Sequence, residues 1–375
     1  MDDDLRYWLG FNLVRGIGPV RLRALIAAFG DVRSAWSASE SDLLKLRINR
    51  RAVTNLLRAR REEDLDQLLR RLDQEKVQAL TWDSSDYPPL LAQIPDAPPL
   101  IFVRGALKPA DEWAVAVVGT RKVSPYGREV VRRLVPELAR AGLTVVSGLA
   151  RGIDGMAHSI ALAEGGRTIA VLGSGVDTIY PPEHRKLAEA IIENGAVISD
   201  YPMGAQPEAA NFPPRNRIIS GLSLGTVIVE AGLPSGALIT ADFALEQGRD
   251  VFAVPGSILN AASAGSNRLI RDGAHVVTEV SDILEVLQLE QVPEKQAARM
   301  TLPSSPTEAA LFQHLTSEPR HLDELAREAD LAVAIVSSTL VMMELKGMVR
   351  QVGGLQYVRV YEHGEPYLTG TLPAT

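Results

Sequence analysis

Residues 114–127 have the sequence AVAVVGTRKVSPYG, and this stretch decides the fold class. Its five leading apolar residues have the length of a buried strand, which ends before Gly119. Ser124 and Pro125 then fit the N-cap and the first position of a helix. A buried strand that leads into a helix is typical of a parallel α/β sheet.

The same alternation continues along the chain. Five further apolar runs are separated by segments of helix length. They are LTVVSG (143–148), TIAVLG (168–173), AVIS (196–199), GTVIVE (225–230) and DVFAVPG (250–256). We therefore predict an α/β domain over residues 113–288 with a Rossmann-like, doubly wound and mostly parallel sheet.

The segments before this domain have a different pattern. Apolar positions recur at helical spacing in residues 20–29 and 53–72, so residues 1–80 are predicted to form a small helical domain. Within it, the GIGP turn of residues 15–30 resembles a helix-hairpin-helix, and a tight interhelical turn is the alternative interpretation. The six prolines of residues 81–112 predict an extended connector.

The segments after the α/β domain are predicted to be a polar linker (289–303), a winged-helix domain (304–362) and a tail (363–375). The winged-helix prediction rests on three amphipathic helical patterns followed by a hairpin around Gly353 and Gly354.

The recognition helix of this winged helix is predicted near residues 333–346. It carries Ser337, Ser338 and Thr339 but only one cation, Lys346. A helix that reads duplex sequence normally carries Arg, Asn or Gln. We therefore favour a protein-contact or duplex-sensing function for this domain over specific operator binding.

The composition excludes several classes of site. The chain has no cysteine, which excludes disulfides, zinc ribbons, thiolate nucleophiles and iron–sulfur clusters. The N-terminus is acidic where a signal peptide is basic, and no apolar run reaches about 18 residues. We expect a soluble, cytoplasmic protein with no membrane partner. Its net charge of −7 means that any nucleic-acid contact must come from a local basic patch.

Small residues and arginines follow several of the predicted strands. Gly119, Thr120 and Arg121 follow the first strand, and the second ends in the small-residue loop 147–152. Phe212, Arg215 and Arg217 stand in the segment FPPRNRIISGLS (212–223). Since the carboxyl ends of parallel strands share one edge of the sheet, these loops are predicted to hold phosphates there. Several such loops suit a polymer of phosphates better than one nucleotide, and Phe212 offers either a stacking surface or a core side chain.

The sequence shows no catalytic motif. GxGxxG does not follow the first strand, and neither a P-loop nor a GxSxG elbow is present. The six histidines have no metal-ligand spacing, and His158 is interpreted as a structural hydrogen-bonding residue. Asp154 and Glu230 are interpreted as loop tethers. We expect a protein that is not an enzyme and that uses no cofactor or metal.

These motifs together resemble the DNA-processing protein A family, also called DprA or Smf. The matching stretches are VGTRKVSPYG, SGLARGIDGMAH, TIAVLGSGVDTIYPPEH, FPPRNRIISGLS, VEAGLPSGALITADFALEQGRDVFAVPGSI and GSNRLIRDGAHVV, in order over residues 114–278. The resemblance implies a non-catalytic protein that binds single-stranded DNA with little sequence preference. It also implies that the protein loads the RecA recombinase onto single strands in natural transformation and recombination, and that it displaces single-strand-binding protein. The N-terminal domain would be sterile-alpha-motif-like.

The resemblance further implies a set of site residues. Those for DNA binding are Gly119, Thr120, Arg121, Ser147, Gly148, Ala150, Arg151, Gly152, Phe212, Arg215, Asn216 and Arg217. Those for a homodimer interface are Leu233, Leu269, Ile270 and Val276. Two positions depart from the family, because Pro182 and Ala209 stand where relatives often carry a basic residue. Weaker binding is expected from these losses, with Arg128 or Arg151 as nearby replacements.

Two other functions are compatible with the same sequence. One is a Rossmann-type nucleotide hydrolase of the phosphoribohydrolase kind, although SGALIT (235–240) lacks the PGGxGT turn of that group. Release of free base from nucleoside monophosphates would indicate this enzyme. The other is a regulator that binds duplex DNA through its winged helix. It requires sequence-dependent duplex binding that survives loss of residues 113–288.

Overall fold

The computed structural model describes residues 4–46, 48–289, 305–316, 319–346 and 348–359. These residues form two separately packed units, one before residue 290 and one after residue 304. The predicted tail lies outside the described residues, and so does the predicted linker apart from Leu289. No helix in the described part of the chain combines the length and the hydropathy that a membrane span requires.

A nine-stranded sheet organises the described part of the first unit. Its strands are β1 (Gln78–Thr81), β2 (Leu100–Gly105), β3 (Ala114–Val118), β4 (Thr144–Ser147), β5 (Thr168–Val171), β6 (Ala196–Ser199), β7 (Gly225–Ile228), β8 (Asp250–Ala253) and β9 (His275–Val276). The strand order is β1-β2-β6-β5-β4-β3-β7-β8-β9. All pairs from β6 to β9 are parallel, whereas β1 and β2 add antiparallel pairs at one edge. The six predicted strands, β3 to β8, are confirmed.

Fourteen helices accompany the sheet in the described residues. They are α1 (Leu5–Leu13), α2 (Pro19–Phe29), α3 (Val32–Ser37), α4 (Glu40–Lys45), α5 (Arg50–Glu62), α6 (Leu65–Glu75), α7 (Pro89–Ala92), α8 (Pro125–Arg140), α9 (Ile153–Ala163), α10 (Arg185–Asn194), α11 (Phe212–Gly221), α12 (Gly236–Glu246), α13 (Ala264–Arg271) and α14 (Val280–Val286). The helical pattern predicted over residues 53–72 forms two helices, α5 and α6. They are divided at Asp64, whose side chain caps α6 by accepting a hydrogen bond from Gln67 N at 2.9 Å.

The sheet is covered on both faces. Val115 and Val117 of β3 pack with α8 and α9, whereas the alternate residues Ala114, Ala116 and Val118 pack with α11 and α12. Because successive side chains of a strand point to opposite faces, both sides of β3 are buried. This burial explains the unbroken apolar runs of the sequence and confirms the doubly wound, Rossmann-like fold.

The N-terminal helices share a hydrophobic core with the sheet. Trp8, Phe11 and Leu56 belong to the same cluster as Phe102 of β2 and Val197 of β6. The prediction of helices before residue 80 is confirmed for α1 to α6. A domain boundary at residue 80, and a helix-hairpin-helix function for the GIGP turn, stay predictions.

The prediction of an extended connector over residues 81–112 is wrong. Strand β2 lies within this segment and pairs with both β1 and β6. The apolar run LIFV of β2 was not predicted as a strand, because the adjacent Pro98 and Pro99 dominate the local composition. The segment is also fastened by Asp111, whose carboxylate accepts hydrogen bonds from Arg167 Nη2 at 2.7 Å and Thr144 Oγ1 at 2.9 Å.

The second unit has the predicted winged-helix form. Its elements are β10 (Arg320–His321), α15 (Pro306–His314), α16 (Leu322–Glu328), α17 (Val333–Leu345), β11 (Val349–Gly353) and β12 (Gln356–Arg359). The three strands pair antiparallel in the order β10-β12-β11 around a core that includes Leu311, Leu325 and Leu340. Lys346, at the end of the recognition helix α17, donates to Glu308 Oε1 at 2.6 Å.

Replacing Asp111 tests whether the segment is an integral part of the first unit. We expect Asp111→Ala to lower the free energy of unfolding by about 2–4 kcal/mol, because the largely buried Arg167 guanidinium loses its carboxylate partner. Asp272→Ala is the matched control and should cost less than about 1 kcal/mol, since its partner Arg268 is exposed. Urea unfolding followed by tryptophan fluorescence measures both, because Trp8, Trp36, Trp82 and Trp113 all lie in this unit. Equal stability of the two variants would contradict the assignment.

Candidate nucleic-acid interface

A polar cleft lies at the edge of the sheet where the strand order reverses. The chain runs from β3 to β4 on one side and places β7 on the other, so the carboxyl ends of β3 and β7 mark the switch point. A cleft of about 610 Å³ opens there. Its lining includes Gly119, Thr120, Arg121, Ala150, Asp154, Tyr180, Phe212, Arg215, Asn216, Ser235, Gly236 and Ala237. Most of the predicted DNA-binding residues therefore lie around one cleft.

The loop after β3 is held by backbone contacts. Thr120 N donates to Glu230 O at 2.7 Å, and Thr120 O accepts from Ile153 N at 3.2 Å. The Glu230 carboxylate accepts a further hydrogen bond from Ser124 N at 3.0 Å, so Glu230 is the loop tether that the sequence predicted. The Thr120 hydroxyl accepts from Lys122 N at 3.1 Å. The amide and the hydroxyl of Thr120 are thus both engaged by other groups of the protein.

Arg121 is different from its neighbours in this loop. Its side chain is exposed, and no described carboxylate lies within 4.0 Å of its guanidinium. The guanidinium carbon lies 5.6 Å from the centre of the Phe212 ring, within the range of a cation–π contact. Because the Arg121 guanidinium is exposed and has no described carboxylate partner, it is available to bind an anionic ligand.

The loop after β4 already binds a carboxylate of the protein itself. Asp154 Oδ2 accepts hydrogen bonds from Gly148 N at 3.2 Å and Ala150 N at 3.4 Å. Asp154 therefore tethers this loop, as predicted. Ser147, which the resemblance assigned to DNA binding, is buried, donates to Val117 O at 2.7 Å and does not line the cleft. Gly152 has φ +86°, and a Cβ atom there would lie 2.3 Å from Thr120 O, which explains the glycine.

Arg215 crosses beneath the cleft rather than projecting into solvent. It is 4% exposed, and its Nη1 donates to Gly148 O at 2.8 Å and also to Val171 O. It thereby connects the ends of β4 and β5 to α11. The sequence correctly placed Arg215 at the cleft, but the side chain is a structural cross-link whose charge acts on the cleft from below.

Burial shifts the pKa values of this buried carboxylate and guanidinium. Loss of solvent raises the pKa of Asp154 to about 6, opposed by the nearby Arg215 and by the two backbone amides. Loss of solvent likewise lowers the pKa of Arg215 to about 10. Desolvation therefore outweighs the attraction between the two groups, although both remain charged at pH 7.

The two remaining predicted arginines do not line the cleft. Arg217 is buried and pairs with Asp200 at 2.7 Å and Asp96 at 3.2 Å, so the prediction that it binds DNA is wrong. Residues two apart on a helix point in nearly opposite directions, which separates Arg217 from Arg215. Arg151 is exposed and pairs with Glu183. Asn216 lines the cleft and donates to Gly236 O at 3.3 Å.

An aromatic pair borders the cleft. The ring of Tyr180 lies 5.6 Å from that of Phe212 at an interplanar angle of 39°, and Tyr180 is 38% exposed. Phe212 is only partly buried, which favours the interpretation of a stacking surface over that of a core side chain. Tyr180 was missed by the sequence reasoning, although its position after the third predicted strand was the available signal.

Helix N-termini add positive potential to the cleft. The first turns of α11 and α12 contribute Phe212, Pro213, Gly236 and Ala237 to its lining, and α9 begins just after the loop 147–152. The N-terminus of a helix carries a partial positive charge, so three such ends favour an anion. Among the described residues that line the cleft, Asp154 is the sole carboxylate.

His158 lies outside the cleft lining. It is buried in α9, and its Nδ1 is 2.6 Å from Thr168 Oγ1, which itself donates to Val145 O at 2.7 Å. Nδ1 must therefore be the donor. Burial lowers the pKa of His158 to about 3, so the ring is neutral at pH 7. This hydrogen bond fastens α9 to the sheet, which agrees with the predicted structural function of the residue.

The fold and the cleft define an α/β protein with a cationic cleft at the switch point of its sheet and a winged helix in its second unit. The chain belongs to the DNA recombination-mediator protein A family, whose profile matches residues 78–288. Residues 295–354 match the DprA winged helix domain. The family resemblance inferred from the sequence motifs is therefore confirmed.

The three relatives described next each align with this chain over most of their own length. Protein Smf of Escherichia coli is 41% identical over 356 residues, which are 91% of this chain and 95% of that protein. The crystal structure of DNA processing protein A from Streptococcus pneumoniae aligns with a TM-score of 0.66 and 36% identity, over 76% of this chain and 98% of that chain. The Helicobacter pylori protein, described for its single-stranded DNA binding mode, aligns with a TM-score of 0.51 and 29% identity, over 57% of this chain and 96% of that chain.

The raised pKa of Asp154 predicts a particular dependence of stability on pH. Between its ordinary value of 3.8 and about 6, the folded chain holds a proton on Asp154 that the unfolded chain has lost. The stabilisation is complete below pH 4 and disappears as the pH rises through 6. Relative to Asp154→Asn, the wild-type protein should lose on the order of 2–3 kcal/mol of unfolding free energy from pH 4 to pH 7.

Urea unfolding by tryptophan fluorescence at several pH values measures this difference. Asp282→Asn is the control, because amides of Thr278 and Glu279 lower the pKa of Asp282. Relative to that variant, the wild-type protein should gain stability as the pH rises, which is the opposite sign. Parallel pH profiles for the wild type and Asp154→Asn would refute the assignment.

Proposed function

We propose that this chain is a single-stranded DNA-binding recombination mediator that performs no catalytic step. The observation that carries the proposal is Arg121, an exposed guanidinium without a described carboxylate partner, held against Phe212 at the switch-point cleft. The Arg121 guanidinium would bind a phosphodiester group, and an unpaired base would stack on the aromatic pair Tyr180 and Phe212.

A single strand suits this cleft better than a duplex. Stacking on Phe212 or Tyr180 requires a base whose face is free, and bases in a duplex are stacked on one another. The positive groups that the cleft offers to a strand are the Arg121 guanidinium and the helix N-termini, and contacts from these groups to phosphate carry no sequence information. Binding with little sequence preference follows. The Helicobacter pylori relative, described as binding single-stranded DNA, supports the same ligand for this chain.

The non-catalytic part of the proposal is supported by the state of the acidic and basic groups. Asp154 is buried and accepts two backbone amides, and His158 is buried in α9 and hydrogen-bonded to Thr168. Glu230 holds the start of α8. Each of these three groups is thus used to fix the fold, and a nucleotide hydrolase would need a general base exposed to its substrate.

Duplex recognition by the winged helix has less support. Lys346, the one cation predicted for its recognition helix, is paired with Glu308. The exposed side of α17 instead carries Ile335, Val341 and Met342. An apolar exposed surface favours contact with a protein over contact with phosphate. We therefore retain the protein-contact function for this domain.

Membership of a recombination-mediator family supports RecA as a partner. In this proposal the chain holds the strand by its phosphates, displaces single-strand-binding protein and delivers the strand to RecA during natural transformation and recombination. The bound strand must then be released, which a salt-sensitive phosphate contact permits more readily than base-specific contacts.

Replacing Arg121 tests the proposed cleft. We expect Arg121→Ala to weaken binding of oligo-dT by roughly 1–3 kcal/mol, the contribution of a charge-assisted contact, while thermal unfolding stays unchanged. Lys122→Ala is the matched control, because Lys122 is the exposed neighbouring cation and does not line the cleft. Fluorescence anisotropy measures both affinities. Equal weakening by the two variants would show that Arg121 has no special place.

Arg215 is unsuitable for the same test. Its guanidinium satisfies the carbonyls of Gly148 and Val171, so Arg215→Ala would leave buried groups unpaired and destabilise the fold. A loss of DNA affinity in Arg215→Ala could therefore not be separated from a loss of stability.

We also propose that the protein forms a homodimer through Leu233, Leu269, Ile270 and Val276. Leu233 and Val276 are substantially exposed, and Val276 lies in β9, the edge strand of the sheet. The start of α13 packs against the loop that carries Leu233, since Gly265 N donates to Ala231 O at 2.7 Å. Exposed apolar residues beside a free sheet edge suit a self-complementary contact.

Leu233→Arg should halve the molecular mass in solution, because a charge at an apolar contact is desolvated without a partner. Light scattering during size-exclusion chromatography measures the mass. Val20→Arg is the control, since Val20 is exposed on α2 and should leave the mass unchanged. A wild-type protein that elutes as a monomer at high concentration would contradict the dimer.

A further inference from the structure

A second depression lies on the other side of Arg121. It has a volume of about 720 Å³ and is bounded by α8, α9 and the start of α10. We call it the α8–α10 groove and define it by Arg128, Arg132, Ser159, Ile160, Lys186 and Leu187. Arg121 lines both this groove and the switch-point cleft. The two depressions therefore meet at one side chain.

The α8–α10 groove has cationic sides. Arg128 and Arg132 stand on α8, and Lys186 stands on α10 across from them. Arg132 is 3.8 Å from Glu129, and both side chains are largely exposed, so this pair neutralises little charge. Glu183, an acidic residue of the lining, is paired with Arg151. In a chain of net charge −7, this is a local concentration of positive charge.

The floor of the α8–α10 groove is mostly apolar. Val123, Met156, Ile160 and Leu187 contribute to it. Gly155 keeps the floor low, because a Cβ atom there would lie 2.5 Å from His184 Cε1. Cations above an apolar floor match a chain that alternates phosphates with flat, largely apolar bases, as single-stranded nucleic acid does.

We propose that the α8–α10 groove is the second part of one nucleic-acid track, so that a strand held at the switch-point cleft continues past Arg121 between α8 and α10. The inference rests on the proposed function of the cleft. It assigns Arg128, Arg132 and Lys186 to phosphate contacts that no part of the cleft supplies. The bound segment is consequently longer than the cleft alone would hold.

The test compares two double variants of the full chain. Arg132→Gln/Lys186→Gln removes two charges from the groove. Arg133→Gln/Arg185→Gln removes two charges from the adjacent positions of the same two helices, which are exposed and do not line the groove. The probes are oligo-dT of roughly 5 and roughly 20 nucleotides, at the lower end and above the range of known single-strand sites.

For the long oligonucleotide, the groove variant should bind roughly 10- to 30-fold more weakly at about 0.1 M salt, and its slope of log affinity against log salt should fall by about 1.4. For the short oligonucleotide, which fits within the cleft, its affinity should stay within about 2-fold of the wild type. The control variant should match the wild type with both probes, and tryptophan fluorescence should show equal unfolding for all three proteins.

Three results would overturn the inference, and they are distinguishable. If the wild type binds both probes and the two double variants weaken the long one equally, the cleft function stands and the groove has no part in it. If the wild type binds two short oligonucleotides and the groove variant binds one, the groove holds a separate strand. If the wild type binds neither probe, the proposed function fails and the track fails with it.

Discussion

The geometry of the switch-point cleft depends on two buried side chains of opposite charge, Asp154 and Arg215, that lie beneath it. Asp154 and Arg215 come from different faces of the sheet and meet at Gly148, where a Cβ atom would lie 2.8 Å from each side chain. Removing both charges from water is costly, as the shift of both pKa values toward the neutral forms shows. The cost is offset because the carboxylate takes two amides and the guanidinium takes two carbonyls. The loops after β4 and β5 are fixed to α11 as a result.

This constraint divides the arginines of the site by function. Arg215 is buried and holds the loops through its Nη1, so it acts on the cleft mainly through its positive potential. Arg121 stands on the neighbouring loop, which is fixed through Thr120 and Ile153, and it remains exposed. A rigid loop that presents one unneutralised guanidinium loses little conformational entropy when an anion binds. The division between a structural and a ligand-facing arginine is thus built by the fold.

Much of this arrangement was predictable because the physics behind it is local. Burial on both faces makes each central strand a continuous apolar run, and parallel strands place their following loops at one edge. The tether function of Asp154 was also predictable, because its carboxylate accepts hydrogen bonds from amides only four and six residues away in the sequence. Two features depended on distant residues. Strand β2 is stabilised by pairing with β6, and Arg217 is neutralised by Asp96 and Asp200, none of which its own local sequence indicates.

The acidic balance of the chain does not oppose a polyanion at this site. Charges act on each other strongly only within about 8 Å at physiological ionic strength, so the distant carboxylates that produce the net charge of −7 are largely screened. Arg121, Arg128, Arg132 and Lys186, by contrast, line depressions that meet at Arg121. The carboxylates that line these two depressions, Asp154 and Glu183, are held by backbone amides and by Arg151. On the proposed track a polyanion would therefore meet mainly positive charge, although the chain as a whole is acidic.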